Sequence, residues 1–107
     1  MDKINEFLKN NYRCVYLGKR EYPETTKRII CKDGFNISVQ ANEYTYCTPR
    51  KNKAWPYERV ELGYPSDIDE LIDLQYAECP GTTETVYAYV PIEIVNKLIE
   101  KHGGIIN

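Results

Sequence analysis

The sequence of 107 residues predicts a small α+β domain. Three observations carry this prediction: an amphipathic helical pattern at each end of the chain, β-forming runs between them, and an Asp33-Gly34 pair that separates two of these runs. This order of elements is typical of an antiparallel sheet covered by helices. We therefore predict a single domain over residues 1–107, with about four to six strands, N-terminal and C-terminal helices and a short acidic helix.

The first predicted element is a helix over about residues 2–11. Ile4, Phe7 and Leu8 have the spacing i, i+3, i+4, which places them on one helical face. The next segment, Cys14 to Leu17, is predicted to be a strand because it is rich in β-forming residues. Gly18 and Pro23 then predict a basic, exposed loop, since proline interrupts a β-ladder.

The clearest local signal is KRIICKDGFNISVQA, residues 27–41, in which Asp33-Gly34 favours a type I′ hairpin turn of two residues. Such a turn sets three facing pairs: Lys32 with Phe35, Cys31 with Asn36, and Ile30 with Ile37. The predicted core face then consists of Ile30, Phe35, Ile37, Val39 and Ala41. The opposite face carries Ile29, Cys31, Asn36, Ser38 and Gln40, and is either solvated or the floor of a ligand site.

The run EYTYCT, residues 43–48, alternates in the manner of a strand and is predicted to pair back on the hairpin. Pro49 ends this run and begins a cationic loop that contains Trp55, the single tryptophan. A further strand is predicted at RVEL, residues 59–62, before Gly63 and Pro65.

Ser66 is predicted to cap a short acidic helix over residues 68–76, because carboxylates in a first turn complement the positive helix end. Residues 84–90, ETVYAYV, predict a strand with valine and alanine on one face and Tyr87 and Tyr89 on the other. Pro91 fits the first position of the closing helix, and Gly103 fits its C′ position. Three side chains of this helix are predicted to point inward: Ile92, Val95 and Ile99.

Charge is unevenly distributed along the chain, although the net charge is only −2. Residues 13–60 contain ten Lys or Arg and five acidic residues, whereas residues 61–84 contain seven acidic residues and no basic one. The small net charge argues against direct nucleic-acid binding, which requires a cationic surplus. The charge blocks are either ordinary fluctuation or a surface that steers a partner of opposite charge.

No catalytic motif is present, and we predict a non-enzymatic protein without a cofactor. The four cysteines occur singly, which favours reduced thiols in a cytoplasmic protein over a Cys₄ zinc site. The start of the chain lacks the apolar region of a secretory signal. His102, the only histidine, is interpreted as a cation in the last helical turn and not as a general base.

Two binding mechanisms are compatible with these residues. In the first, the acidic residues 61–84 mimic nucleic-acid phosphates and block a basic channel on a host protein. In the second, Asn36, Ser38, Gln40, Tyr46 and Arg50 form a pocket for a small phosphorylated ligand. The partner-binding candidates are Ser38, Gln40, Tyr44, Tyr46, Arg50, Trp55, Tyr64, Asp67, Asp69, Glu70 and Asp73, and the predicted exposed aromatic cluster is Tyr44, Tyr46, Trp55, Tyr57 and Tyr64. An assembly subunit is a third possibility.

Three segments, DGFNISVQANEYTYCTPR, YERVELGYPS and TVYAYVPIEIVNKLIEKHGGI, resemble small accessory proteins encoded by phages and prophages. The resemblance covers roughly the last two thirds of the chain. It implies a counter-defence protein of the host-cell cytoplasm, such as an anti-CRISPR inhibitor or a sponge that sequesters a signalling nucleotide. It transfers no individual residue role.

Overall fold

The computed structural model describes residues 1–107 and confirms the predicted α+β fold. The elements, in chain order, are α1 (Lys3–Asn10), β1 (Cys14–Leu17), β2 (Arg20–Pro23), β3 (Ile29–Ile30), β4 (Asn36–Gln40), β5 (Arg59–Gly63), α2 (Asp73–Tyr76), β6 (Val86–Pro91) and α3 (Ile92–Lys101). Strands β3-β4-β5-β6 form an antiparallel sheet, and β1 and β2 form a separate hairpin. No helix has the length and apolar character that crossing a membrane requires.

The core lies between helices α1 and α3 and one face of the four-stranded sheet. Helix α1 contributes Ile4, Phe7 and Leu8, as predicted. Helix α3 contributes Val95, Leu98 and Ile99, while Ile92 is only partly buried. These apolar side chains share one buried cluster with residues of β3 to β6, so the sheet and both helices stabilise one another by removing apolar surface from water.

Helix α1 has a side-chain cap at its start, and helix α3 has a glycine cap at its end. The side chain of Asp2 accepts a hydrogen bond from the Asn5 amide at 3.0 Å and so caps α1. Helix α3 begins one residue later than predicted, because Pro91 still belongs to β6. At its end, Gly104 N–H donates to Ile99 C=O and Gly103 N–H donates to Glu100 C=O, both at 3.0 Å. This is a Schellman motif with Gly103 at C′, as predicted.

The β3–β4 hairpin forms, but its predicted register is wrong by one residue. Ile29 faces Ile37 and Ile30 faces Asn36, so the loop has three residues instead of two. The amide of Gly34 donates to Cys31 C=O at 2.9 Å, and the φ of Gly34 is +98°. A one-residue shift reverses the faces of a strand. Ile29 and Cys31 are therefore buried, and Ile30 is exposed.

The φ of Gly34 leads to a first prediction. Gly34→Val should lower the free energy of unfolding by about 1–3 kcal/mol, because a β-branched residue is strained at positive φ. Apart from the neighbouring residues in the chain, no atom lies within 4 Å of the added Cβ, so no clash at the Cβ adds to the backbone strain. Thermal denaturation beside Lys32→Val, in the same loop, measures the effect. Equal melting temperatures for the two variants would show that the loop does not require positive φ at Gly34.

The predicted strand at residues 43–48 is wrong, because residues 42–46 form turns and bends, and only Thr48 makes a single β-bridge, with Arg59 of β5. Asn42 organises it: its side-chain Oδ1 accepts from the Tyr44 amide at 2.8 Å, and its carbonyl accepts from the Thr45 amide at 3.2 Å. The Thr45 hydroxyl accepts from the Asn42 amide in return, at 2.9 Å. Such local bonds satisfy the backbone groups that a strand would offer to the sheet.

The acidic helix is shorter than predicted. Ser66 does not cap it, because the Ser66 hydroxyl accepts from the Asn36 amide at 2.9 Å and the Ser66 amide donates to Asn36 C=O at 2.8 Å. Ser66 is therefore bound to strand β4. The residues between Pro65 and Ile72 are not α-helical, and the helix is limited to Asp73–Tyr76.

Two further strand predictions need correction. Residues 18–23 are not simply a loop, because Arg20–Pro23 pairs with β1 as β2. In β6 the expected alternation fails, since Val60 faces Val90 but Leu62 faces Tyr87. Two residues of β6, Ala88 and Tyr89, thus lie opposite the single residue Glu61 of β5, and this arrangement is a β-bulge. As a result Tyr87 and Val90 both lie in the core, and Tyr89 is exposed.

Candidate partner-binding surface

The β1–β2 hairpin and the segment of residues 42–53 present an exposed surface of tyrosines and cations. Each of three cations, Arg20, Arg50 and Lys53, lies within 6 Å of at least one tyrosine ring centroid. This is a distance at which a cation is attracted by the ring face. We call these cations and the tyrosines that they contact, together with Tyr89 of β6, the cation–tyrosine surface. Tyr12 and Tyr22 are half-buried, and the other members are exposed: Tyr16, Arg20, Tyr44, Tyr46, Arg50, Lys53 and Tyr89.

Arg20 joins the hairpin to the turn segment. Its guanidinium donates to the Tyr44 hydroxyl, with Nη2 at 2.6 Å, and its Cζ lies 5.3 Å from the ring centroid of Tyr22. The Glu43 carboxylate lies 3.7 Å from Nη2 of Arg20, and the two side chains form an exposed ion pair. The hydrogen bond to Tyr44 raises the pKa of Arg20 above its ordinary value. Arg20 thus links strand β2 to the turn segment through Tyr44.

Arg50 lies over Tyr46, with its Cζ 5.3 Å from the ring centroid. Tyr46 also contacts Tyr89, whose ring centroid is 5.8 Å away. The backbone fixes this pair, since the Tyr89 amide donates to Tyr46 C=O at 3.1 Å and the Tyr46 amide donates to the Glu61 carboxylate at 3.1 Å. No carboxylate forms an ion pair with Arg50, so its charge is available to a partner.

Lys53 completes the surface on the hairpin side. Its Nζ donates to the Tyr16 hydroxyl at 3.2 Å and lies 3.4 Å from the Glu21 carboxylate. The bond to Tyr16 raises the pKa of Lys53. Tyr12 contacts Lys53 with its ring face, at 5.8 Å from Nζ to the centroid, and meets Trp55 edge to face at 5.5 Å. The Tyr12 hydroxyl also donates to the Glu21 carboxylate, so Tyr12 links strand β2 to Trp55.

The structure separates the predicted aromatic cluster. Tyr44, Tyr46 and Tyr64 are exposed, but Trp55 is half-buried and Tyr57 is almost fully buried, so the prediction was wrong for Tyr57. The Tyr57 hydroxyl donates to Lys51 C=O at 2.5 Å, which is a structural role. Tyr64 lies after β5, where its carbonyl accepts from Arg28, and no contact joins it to Tyr44 or Tyr46.

The polar face of the hairpin is largely occupied by the chain itself. Gln40 is buried, and its side-chain amide makes two hydrogen bonds with the backbone of Thr26, at 2.9 and 2.8 Å. Ser38 accepts from Gln40 at 3.0 Å, and Arg28 donates to the Asn36 side chain at 2.9 Å. Gln40 therefore anchors the segment before β3, and this face offers little open floor for a ligand.

The acidic segment is also partly used within the protein. Asp69 is buried beside Lys101 and His102, and the buried Asp73 carboxylate accepts from the Gly81 amide at 3.0 Å. Glu61 holds the Tyr46 amide. The exposed carboxylates that remain are Asp67, Glu70, Glu78 and Glu84. Sequence composition alone thus overstates the charge that this segment presents to a partner.

Asp69 belongs to a polar cluster that sequence analysis did not identify. His102 lies between two carboxylates, with Nδ1 2.6 Å from Asp33 Oδ2 and Nε2 2.8 Å from Asp69 Oδ2. Its ring stacks on Phe35 at a centroid distance of 4.0 Å. The cluster therefore joins the β3–β4 loop, the segment before α2 and the end of α3. Only the fold brings these three residues together, so no local sequence signal reports them.

Three open cavities of about 400–450 Å³ lie elsewhere on the surface. The first lies between α1 and α3 and includes Lys3 and Glu100. The second borders the start of α3, and the third lies beside Ile68 and Leu74. Neither Tyr46 nor Arg50 lines any of these three. No group of three or more His, Cys, Asp or Glu side chains is arranged to hold a metal ion.

Comparison of the chain with family models, with curated proteins and with solved structures finds no match.

Proposed function

We propose that the protein is a non-enzymatic binding module that contacts a partner protein through the cation–tyrosine surface. The observation that carries this proposal is the exposed set of cations over tyrosine rings, together with an Arg50 that has no acidic partner. Tyrosine and arginine are enriched among the residues that dominate protein–protein binding energies. Their mutual contacts fix the rings before binding, which reduces the entropy that association costs.

The chemistry of this surface favours an acidic partner. Arg50 and the neighbouring Lys51 are exposed, and neither forms an ion pair within the protein. A guanidinium binds a carboxylate through two parallel hydrogen bonds, which an ammonium group cannot reproduce. The resemblance to phage accessory proteins supports the further proposal that the partner is a host defence protein, which the module inhibits by occlusion.

Arg50→Ala tests the proposal most directly. We expect affinity for the partner to fall by about tenfold or more, because a hydrogen bond to a charged group is worth about 1.5–3 kcal/mol. The melting temperature should stay within a few degrees of the parent, since Arg50 is exposed. Arg50→Lys should restore part of the affinity. The partner is identified by mass spectrometry after co-purification of the tagged protein from host cells, and affinity is then measured by calorimetry.

Lys51→Ala is the matched control, since it removes one exposed positive charge next to Arg50 but no tyrosine contact. It should lower affinity by less than Arg50→Ala does, because an ammonium group lacks the paired hydrogen bonds of a guanidinium. The acidic mechanism is tested in the same assay with the double variant Asp67→Asn and Glu70→Gln. If the double variant loses binding while Arg50→Ala retains it, the acidic segment is the contact surface and this proposal is wrong.

A further inference from the structure

Strand β1 has one edge that no other part of the chain covers. The turn at Gly18-Lys19 has two residues, and the positive φ of Gly18, +65°, fits the first central position of a type II′ turn. Leu17 and Arg20 flank this turn and form the hydrogen-bonded pair. Hydrogen-bonded pairs alternate along an antiparallel ladder, so the backbone N–H and C=O groups of Cys14 and Tyr16 point away from β2.

These outward groups find no partner inside the protein. The backbone hydrogen bonds outside the regular elements include the Glu24 amide to Arg13 C=O, which continues the β1–β2 ladder, and none that involves Cys14 or Tyr16. The side chains along β1 are also unusually open, because Val15, Tyr16 and Leu17 are 49%, 57% and 68% exposed. An exposed apolar strand edge is a template for pairing with another chain.

The two edges of the hairpin differ. Strand β2 ends in Pro23, which has no amide hydrogen to donate, and proline on an outer strand opposes further pairing. Strand β1 contains no proline. Pairing with a further strand is therefore opposed at the β2 edge and unopposed at the β1 edge.

We infer that β1 accepts an extended segment of the partner as a third strand, and that this segment carries acidic side chains at both ends. The inference rests on the proposed function and specifies how the partner is held. Arg13 precedes β1 and Lys19 follows it, both are exposed, and neither forms an ion pair within the chain. They lie at opposite ends of β1, because Lys19 belongs to the turn that follows the strand. Two carboxylates about six residues apart on the partner segment would lie near Arg13 and Lys19, whether that segment runs parallel or antiparallel to β1.

Charge also argues against a second copy of this chain as the occupant. When two β1 strands pair antiparallel about Tyr16, Arg13 of each copy comes to the turn that carries Lys19 of the other. Bringing like charges together at an interface opposes association. An acidic segment satisfies the same backbone groups and replaces this repulsion with attraction. An acidic segment on β1 would also lie beside the cation–tyrosine surface, because Tyr16 of β1 contacts Lys53.

The probe for this inference is the synthetic peptide Glu-Val-Thr-Val-Thr-Val-Glu with blocked termini, and the control is the same peptide with lysine at both ends. In an NMR titration of the labelled protein, the acidic peptide should shift the amides of Cys14 and Tyr16. It should bind at least about tenfold more tightly than the lysine peptide, equivalent to about 1.4 kcal/mol. The double variant Arg13→Glu and Lys19→Glu should reverse this preference.

Tyr16→Pro tests the backbone contact, with Tyr16→Ala as its control. Both remove the tyrosine ring, but only proline removes the outward amide, and the β1–β2 ladder keeps its own bonds. Peptide binding should be at least about tenfold weaker in Tyr16→Pro than in Tyr16→Ala, with both variants shown to be folded by thermal denaturation. Equal binding of the two peptides, or equal binding by the two variants, would overturn the inference.

Sedimentation of the protein alone provides a separate test. A dimer in the parent that Tyr16→Pro abolishes would identify a second copy as the occupant and contradict the acidic segment. If partner binding depends on Arg50 but is the same in Tyr16→Pro as in Tyr16→Ala, the strand-addition inference fails while the proposed function stands. Partner binding that depends on Arg50 and is also weaker in Tyr16→Pro than in Tyr16→Ala supports both.

Discussion

Replacing Asn5 by alanine should lower the free energy of unfolding by about 3 kcal/mol, because it leaves two buried backbone groups without partners. Asn5 lies on α1 and is fully buried. Its Oδ1 accepts from the Tyr57 amide at 2.7 Å, and its Nδ2 donates to Tyr57 C=O at 3.1 Å. One side-chain amide thus satisfies both backbone groups of Tyr57 and attaches the loop before β5 to the first helix. An unpaired buried group of this kind costs about 1–3 kcal/mol.

Asn10→Ala is the matched control, since it makes the same substitution at an exposed position of the same helix. Urea unfolding of the two variants should show a large loss for Asn5→Ala and a change within about 0.5 kcal/mol for Asn10→Ala. Asn5→Asp should also destabilise, because a carboxylate cannot donate to Tyr57 C=O. Similar midpoints for Asn5→Ala and the parent would mean that the Tyr57 backbone finds water or another partner.

The two long helices were predictable because their signals are local. The spacing of Ile4, Phe7 and Leu8 defines the buried face of α1, and Gly103 marks the end of α3. Both signals depend only on the helical period and on capping chemistry. They need no information on the rest of the fold. The strands β1, β5 and β6 were likewise located from β-forming runs between Gly and Pro.

Register was not predictable from the turn residues alone. The Asp33-Gly34 pair is compatible with a two-residue loop and with a three-residue loop in which Gly34 takes the left-handed position. The structure has the longer loop, in which the Asp33 carboxylate accepts from the Phe35 amide at 2.9 Å. This choice buries Ile29 and Cys31 instead of Ile30. The difference depends on packing against the whole core, which a local pattern does not contain.

Polar side chains that hold distant backbone were missed for a related reason. Asn5 binds Tyr57, and Gln40 binds Thr26, in each case through both groups of the side-chain amide. The sequence shows only an asparagine in a helix and a glutamine in a strand, which usually face water. Their partners are set by the fold. Gln40 was accordingly predicted as a ligand contact, although its amide is occupied inside the protein.

The candidate surface was predictable in part. Tyr44, Tyr46 and Arg50 follow one another closely in sequence and were identified together, and the structure exposes all three. Arg20 and Tyr89 were missed because they reach this surface from the hairpin and from the β6 bulge. A bulge cannot be read from an alternating run, since the run itself indicates regular pairing. The composition therefore located the centre of the surface but not its edges.

The cluster around His102 should make stability depend on pH. Burial alone would lower the pKa of His102, but hydrogen bonds to Asp33 and Asp69 outweigh it and raise the pKa above its ordinary value. For Asp69 the directions are opposite: burial alone would raise its pKa, but hydrogen bonds from the Leu71 amide, His102 and Lys101 lower it. Because both ring nitrogens meet carboxylates, both must donate, which requires the protonated imidazolium.

The two shifts set the pH range of this stabilisation. A histidine with a raised folded pKa stabilises fully below its unfolded pKa of about 6.5, and this contribution is lost as pH rises through the higher folded value. The lowered pKa of Asp69 stabilises above its unfolded value of about 3.9, and this contribution is lost as pH falls through the lower folded value. Together they predict greatest stabilisation by the cluster between about pH 4 and pH 6.5.

His102→Gln should therefore destabilise the protein by about 2 kcal/mol near pH 5.5, where a charge-assisted bond to the buried Asp69 is lost, and by less at pH 8.5. Urea unfolding at both pH values measures this difference. Glu100→Gln, an exposed change in the same helix, controls for general charge effects. His102 is the only histidine, so the parent should lose stability from pH 6 to pH 8.5 while His102→Gln changes little. A parent and variant with parallel pH profiles would show that His102 is not held as a cation between Asp33 and Asp69.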